Sequence, residues 1–367
     1  MAKPKTLVIV EEDDVLDEAA SDETVPKVCY DITSFGADYD VDGVVRRLSK
    51  GEIFAPPFQR DYVWNIKHAS RFIESLLLGL PVPGIFLAKD AATNKFLVID
   101  GQQRLKTLKF FIDGSFNPHA GEDKSKVFRL VEVQKPFDGV TYGTLEEKDR
   151  LRLENSIIHA TIVKQDAPVD GDTSIYHIFE RLNTGGLKLT PQEVRTAASY
   201  GTLIVLLRNL NSDGNWRKIF GKPSVRLKDQ ELILRFLAFY FEGERYEKPV
   251  NEFLNKFVSK HRNPPEKFLN ECTERFSSMI NTVFGVFGEK AFRPVGSLNA
   301  AVFDSVAVAI AERLAKGKVK NPARLKAAYD QLLSKKSFLS AVTSATSDEA
   351  NVRTRMHDAH QAFDGVE

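Results

Sequence analysis

Residues 95–112 read KFLVIDGQQRLKTLKFFI, and the spacing of the apolar side chains changes there without an intervening loop. Up to Asp100 they form a short apolar run of the kind that makes a buried strand. Beyond it, Leu105, Leu108, Phe111 and Ile112 recur at helical spacing until Asp113-Gly114 stops the pattern. A strand that turns directly into a helix places the two in adjacent layers of an α/β unit. Between them stand Asp100, Gly101, Gln102, Gln103 and Arg104, five residues that make a poor core.

The flanking segments fit the same layering. Asn65 caps a predicted helix whose apolar positions Ile66, Ala69, Phe72, Ile73, Leu76 and Leu77 share a face, with Gly79 and Pro81 at its end. GIFLAKD and KFLVID, separated by AATN, read as a strand pair. Residues 115–144 are loop-rich with one candidate strand, VFRLVEV. LEEKDRLRLENS reads as helix and IIHATIV as a β-branched strand. SIYHIFERL reads as an amphipathic helix with Ile175, Ile178, Phe179 and Leu182 on one face. NTGGLKL is a turn, and Thr190, Pro191 and Glu193 then stand at the N-cap, first-turn and capping-box positions of a new helix. From about residue 200 the chain reads almost wholly helical. There DQELILRFLAFYF is buried on more than one side, and SLNAAVFDSVAVAIAERLA is a long helix with a wide apolar stripe. No internal repeat occurs. The expected fold class is α+β: a mixed α/β region followed by an α-helical one.

A strand end that feeds a helix start aims its last side chain and the helix's free N–H groups at one spot. The helix dipole adds partial positive charge, worth about 0.3–1 kcal/mol to an anion placed there. Gly101 would let a phosphate approach the backbone, and Arg104 would add a charge-assisted grip. Gln102 and Gln103 offer both donors and acceptors. Asp100 would repel a phosphate unless it holds a metal ion, orders a water or orients an arginine. The pentapeptide fits a plain connection equally, since Asp-Gly is a common turn and glutamine and arginine favour helices. A second cluster, APPFQRDYVWN at residues 55–65, sets Gln59 and Arg60 beside Tyr62 and Trp64. It reads either as a proline-guided loop with aromatics docked on the core, or as a second arm of the pocket with Arg60 on a phosphate. In a third cluster, FERLNTGGLKLTPQEVR, the residues Arg181 and Asn183 and the Gly185-Gly186 turn could line the pocket, while Glu193 reads as the capping partner of Thr190. His357 and His360 lie three apart with no further ligand near, which argues against a metal there.

The formal net charge of +1 gives no general pull towards nucleic acid or membrane, but the charges are unevenly spread. EEDDVLDEAASDE at residues 11–23 cannot bury enough apolar surface to order itself, so residues 1–27 read as an acidic flexible tail. The preceding TLVIV reads either as a strand added to another sheet edge or as a locally packed strand. Residues 313–336 carry Arg313, Lys316, Lys318, Lys320, Arg324, Lys326, Lys335 and Lys336 against Asp330 alone. That run is either a solvated helix face or a surface for phosphate backbone or an acidic partner. Cys29 and Cys272 are the two cysteines and build no disulfide framework or zinc site. No signal-peptide pattern and no apolar run of about 18 residues occur, so a cytoplasmic protein is expected.

In this order, FQRDYVW, VIDGQQRLKTL and FERLNTGGLKLTPQEVR resemble the family that forms the N-terminal domain of the GmrS/GmrD type IV restriction endonucleases, whose signature is DGQQR. The resemblance covers about residues 30–200. It implies a ParB/sulfiredoxin-like fold, in which a strand–Gly–x–x–Arg–helix junction binds nucleotide phosphates. It also implies nucleoside triphosphate binding and hydrolysis at the motif, with Mg2+ as a further cofactor. Carried over by position, Asp100, Gln102, Gln103 and Arg104 are the candidate catalytic residues. Arg60, Gly101, Arg104, Arg181 and Asn183 are the candidate nucleotide-binding ones. The implied function is a nucleotide-binding, NTP-hydrolysing module of a bacterial anti-phage or restriction system that acts on or senses foreign DNA. The alternatives are a DNA-binding or DNA-nicking ParB-like protein and a non-enzymatic partner subunit. Many relatives carry an HNH nuclease whose metal site needs clustered His, Asn and Asp, whereas residues 200–367 hold only His261, His357 and His360. The expected partners are therefore a nuclease or other defence protein, DNA through residues 313–336, and further copies of the chain in a homo-oligomer. The expected domains are the tail, a nucleotide-binding domain over 28–200 and a helical domain over 201–367.

Overall fold

A computed structural model describes residues 15–17, 31–55, 62–90, 93–117, 126–167, 174, 176, 178 and 189–366. The chain divides into two compact units, Val28–Ala198 on one side and Met1–Lys27 with Ser199–Glu367 on the other. Part of the segment read as an acidic tail is docked: Val15–Leu16 form a short strand, β1, paired in parallel with Leu298–Asn299.

The Val28–Ala198 unit is built on a mixed sheet of β2 (Asp31–Asp40), β3 (Ile53–Phe54), β4 (Ile85–Lys89), β5 (Phe96–Asp100) and β8 (Ile157–Ala167). Their order is β2-β8-β4-β5-β3, and the short pair β6 (Ser115–Phe116) and β7 (Lys126–Val127) lies apart. The expected strand pair β4–β5 is antiparallel, and β8 runs parallel to β4. The period-two pleat sends alternate residues to opposite faces. Ile85, Leu87 and Val98 join a core made with α1 (Val41–Ser49), α2 (Ile66–Leu78), α3 (Gln102–Ile112) and α4 (Glu147–Glu154). Ala88, Leu97, Ile99 and Val163 join Val194 and Ala197 of α5 (Pro191–Ala198) on the other face. Helix α2 is bounded as its sequence predicts, with Asn65 Oδ1 accepting from His68 N and Gly79 in the left-handed conformation at its end. Of VFRLVEV, Val127 alone lies in a strand, as the end of β7. Phe128 and Leu130 are fully buried, but their N–H groups bond to the carbonyls of Gly114 and Val140 in a looped chain.

The helical unit contains α6 (Thr202–Leu210), α7 (Gly214–Phe220), α8 (Lys228–Glu242), α9 (Val250–Lys260), α10 (Glu266–Phe287), α11 (Ala300–Ala315), α12 (Pro322–Leu332), α13 (Lys336–Thr343) and α14 (Glu349–Asp364), with β9 (Leu298–Asn299) before α11. Every residue of α11 from Ala300 to Ala311 is buried, so its apolar stripe closes all round and it runs through the centre, against α8, α10 and α14.

Candidate functional site

Strand β5 ends at Asp100 and α3 begins at Gln102, so Gly101 alone joins them. Gly101 has φ 96° and ψ 8°, a left-handed conformation that side chains resist. A Cβ there would lie 2.5 Å from Ile85 Cγ2. The glycine therefore lets β5 turn into α3 while the turn packs against β4. The sequence assigned Gly101 to the approach of a phosphate; on this flank the structure fills the space with Ile85 instead. The β4–β5 register shifts between Phe86 and Leu87, next to the Phe86–Asp100 pair, an irregularity of the kind that re-aims a side chain.

The other flank carries donors. The first intrahelical bond runs from Leu105 N to Gly101 O at 3.0 Å, and no side chain caps the helix. The N–H groups of Gln102, Gln103 and Arg104 precede that bond and have no intrahelical acceptor. Arg104 Nη2 donates to Asp100 Oδ2 at 2.7 Å and to Gly84 O at 2.9 Å. Of the three roles open to Asp100, the structure shows the orienting of an arginine. The Arg104 side chain is only 17% exposed, while that of Asp100 is 46% exposed, so the carboxylate forms the rim and the guanidinium sits behind it. Arg104 Nε and Gln102 Nε2 are buried and have no partner among the described residues. A buried donor left so costs on the order of 1–3 kcal/mol, which a bound acceptor would recover.

Gln103 has a different task. Its Oε1 accepts from Val63 N at 3.0 Å and Trp64 N at 3.3 Å, which clamps the approach to α2 onto the first turn of α3. Tyr62 lies in the core, its hydroxyl paired with Thr107 Oγ1 at 2.7 Å and its ring edge-on to Phe110 and Phe116. Burial, opposed by that hydrogen bond, pushes the Tyr62 phenol up to about 12. Trp64 meets Phe72 edge-on at 5.7 Å. Tyr62 and Trp64 are thus docked on the core. Gln59, Arg60, Arg181, Asn183, Gly185 and Gly186 lie outside the described residues. Glu193 is the capping partner expected: its Oε2 accepts from Thr190 N at 2.6 Å, and Thr190 Oγ1 accepts from Glu193 N at 3.2 Å.

Two contributors were not singled out by sequence, the carbonyl of Gly84 and the side chain of Ile85. The available signal was PVPG before the β4 run. A Cβ at Gly84 would lie 2.8 Å from the His159 carbonyl, so glycine is what lets the chain pass β8 closely and present its own carbonyl to Arg104. Among the described residues no cluster of His, Cys, Asp and Glu could hold a metal by itself.

In the basic segment, α14 supplies acids that the local sequence does not show. Lys316 pairs with Asp364 and Lys335 with Asp358, while Lys326 pairs with Asp330. Arg313 donates to the carbonyls of Val366 and Gly317. Lys318, Lys320, Arg324 and Lys336 remain exposed, without an ion pair among the described residues. No described helix is long and apolar enough to cross a membrane.

No curated protein matches the chain. Residues 43–200 match the GmrSD restriction endonuclease N-terminal domain. That span holds β4, β5, α3 and the whole DGQQR junction, so the part of the chain that carries the site is similar to the GmrSD N-terminal domain.

Proposed function

We propose that the GmrSD-type domain binds a nucleoside triphosphate at the β5–α3 junction and hydrolyses it as the switching module of a restriction or anti-phage system. The observation that carries this is the uncapped start of α3 beside an arginine already held in place by Asp100 and Gly84. Phosphate oxygens would accept from the first-turn amides, which have no intrahelical acceptor, and from Arg104 Nε and Gln102 Nε2, which have no partner among the described residues. Mg2+ fits beside them in the manner usual for nucleotide sites, held by one carboxylate, Asp100, together with the phosphates, whose charge it would neutralise. Asp100 keeps the guanidinium in register and has a second oxygen with which to order a water. The family's name, that of a restriction endonuclease domain, supports the defence setting.

Calorimetric titration with ATP, GTP, CTP and UTP in Mg2+, followed by phosphate-release assays, tests the proposal. Arg104→Ala is expected to weaken binding by ~10-fold or more, the loss of one charge-assisted contact. Asp100→Asn keeps an acceptor for Arg104 and is expected to retain binding while losing turnover. Unchanged affinity in Arg104→Ala would sink the nucleotide function, and binding without turnover would favour a non-enzymatic subunit.

A second reading, DNA contact through the helical unit, rests on the four unpaired cations Lys318, Lys320, Arg324 and Lys336. Four phosphate contacts would give a slope of log affinity against log salt of about −3 to −4. A Lys320→Ala/Arg324→Ala double substitution should reduce that slope by about 2. DNA binding that ignores salt, or none, removes this reading.

A further inference from the structure

Helices α11 and α14 lie side by side and run the same way: Asp304 meets Arg355, Glu312 meets His360 and Lys316 meets Asp364, in order along both. A cavity of about 850 Å³ opens along this pair, a size usual for small-molecule sites. Its lining residues all belong to the helical unit, so it is independent of the β5–α3 junction. Ser305, Val308 and Ala309 of α11 form the buried floor, and their small side chains leave the room. Tyr240 and Phe241, at the end of α8, add a partly exposed aromatic wall.

The charged side chains are sorted along the length of this cavity. Seven residues separate Ser305 from Glu312 on α11, and Arg353 from His360 on α14, so its two ends lie about 10 Å apart. At one end stands Glu312, partly buried and without a hydrogen bond among the described residues; its ion-pair contact there is His360, at 3.9 Å. Burial raises the Glu312 carboxyl, against the pull of His360 and Lys316 and with the push of Asp364 and Glu244. A carboxylate that lines a cavity and costs the fold stability marks a site kept for function. At the other end stands Arg353, exposed and without an ion pair among the described residues. The chain after α8 crosses between the ends, from Glu244, whose charge reaches Glu312, to Tyr246, whose hydroxyl donates to Ser347 O just before α14. Arg245 therefore lines the stretch between them, exposed and likewise without an ion pair among the described residues.

We propose that this cavity binds a guanine nucleotide, with Glu312 accepting from two N–H groups of the base and Arg353 and Arg245 holding the phosphate. An ionised carboxylate has two acceptor oxygens and no donor. Guanine is the common base whose edge presents two neighbouring donors; adenine and cytosine set an acceptor beside their amino group. The flat base lies against the wall of Tyr240 and Phe241. The separation of the two ends suits the reach of an extended nucleotide from base edge to 5′ phosphate. The same chemical group arrives either as a free nucleotide or as a guanosine turned out of a nucleic acid strand, and the experiment separates the two sources.

Calorimetric titration of the full chain carrying Arg104→Ala, in EDTA, tests this apart from the junction. The probes are GMP, IMP and AMP, with the pentanucleotides TTGTT and TTTTT. GMP is expected to bind at least ~10-fold more tightly than AMP, and IMP, which lacks the 2-amino donor, to fall between them. Glu312→Gln should weaken GMP by at least ~10-fold and bring it level with IMP, while the thermal midpoint rises, so a loss of folding cannot account for the result. Arg353→Ala, at an exposed position, should weaken GMP and AMP by the same factor. Tight GMP binding with no preference between the pentanucleotides assigns the cavity to a free nucleotide, and TTGTT binding more tightly than both GMP and TTTTT assigns it to a strand. Binding of neither GMP nor TTGTT overturns the proposal. So does equal affinity for GMP and AMP, or GMP binding that Glu312→Gln leaves unchanged.

Discussion

At Gly101 two constraints coincide, a positive φ of 96° and a neighbouring Ile85 methyl where a Cβ would stand. Gly51 shares the positive φ, at 69°, with nothing within 4 Å of its would-be Cβ. The pair separates backbone strain from steric contact. Gly51→Ala is expected to cost ~1 kcal/mol, and Gly101→Ala ~2–4 kcal/mol because overpacking adds to strain. Urea unfolding measures both, and equal losses would mean that Ile85 yields freely. Gln103 offers a similar separation. Gln103→Leu removes the acceptor that serves the N–H groups of Val63 and Trp64 and should cost ~1–3 kcal/mol. Gln103→Glu keeps the acceptor and adds charge at a helix start, so it should be nearly neutral in stability. A large loss in Gln103→Glu would show that the amide nitrogen, not the clamp, holds the turn.

Among the elements, those whose boundaries are set by local chemistry were legible in the sequence. Asn65 and Gly79 bound α2, and the Thr190–Glu193 box opens α5, because the groups that satisfy a helix end lie within four residues of it. Thr190→Ala should therefore cost about 1 kcal/mol of the unit's stability, read by thermal unfolding, whatever the nucleotide does. The DGQQR junction was legible for the same reason, as a change of period across one glycine. Elements defined by distant neighbours were not. Strand β2 spans Asp31–Asp40 with most residues exposed, including Ile32 and Phe35, and so shows no inward-facing alternation; its register comes from β8, more than a hundred residues away. VFRLVEV shows the converse error. Phe128 and Leu130 anchor the core two residues apart, which mimics a strand, yet their backbone bonds go to loop partners. The grip on Arg104 was half legible: Asp100 lies four residues away in sequence, but the Gly84 carbonyl reaches it only because β4 lies beside β5.

For the whole molecule, the balance of charge is a property of tertiary structure that net charge conceals. The basic stretch before residue 337 has half its eight cations engaged, two by acids of α14, one by Asp330 and one by carbonyls. Asp358 shows how this couples to pH. Burial works to raise its carboxyl, but the bonds from Lys335 and Ser337, each at 2.7 Å, outweigh that and hold it below the usual carboxylate range. A lowered folded pKa means that the unfolded chain binds the proton more readily. The stabilisation is therefore present above the unfolded value of 3.8 and is lost as pH falls through the lower folded one. Glu312 has the opposite sign. Burial raises its carboxyl against the pull of His360 and Lys316, so it costs stability as pH rises above 4.5. Asp358→Asn should lower the thermal midpoint at pH 7, and the loss should shrink as the pH is taken below 4. Glu312→Gln should raise the midpoint at pH 7 and leave it unchanged near pH 4. Midpoints recorded across that range separate the two, because their differences from the unaltered chain carry opposite signs at neutral pH. An Asp358→Asn chain as stable as the parent at pH 7 would mean that the Lys335 pair decorates α14 without holding it, and Lys335 would then join the cations free to meet phosphate.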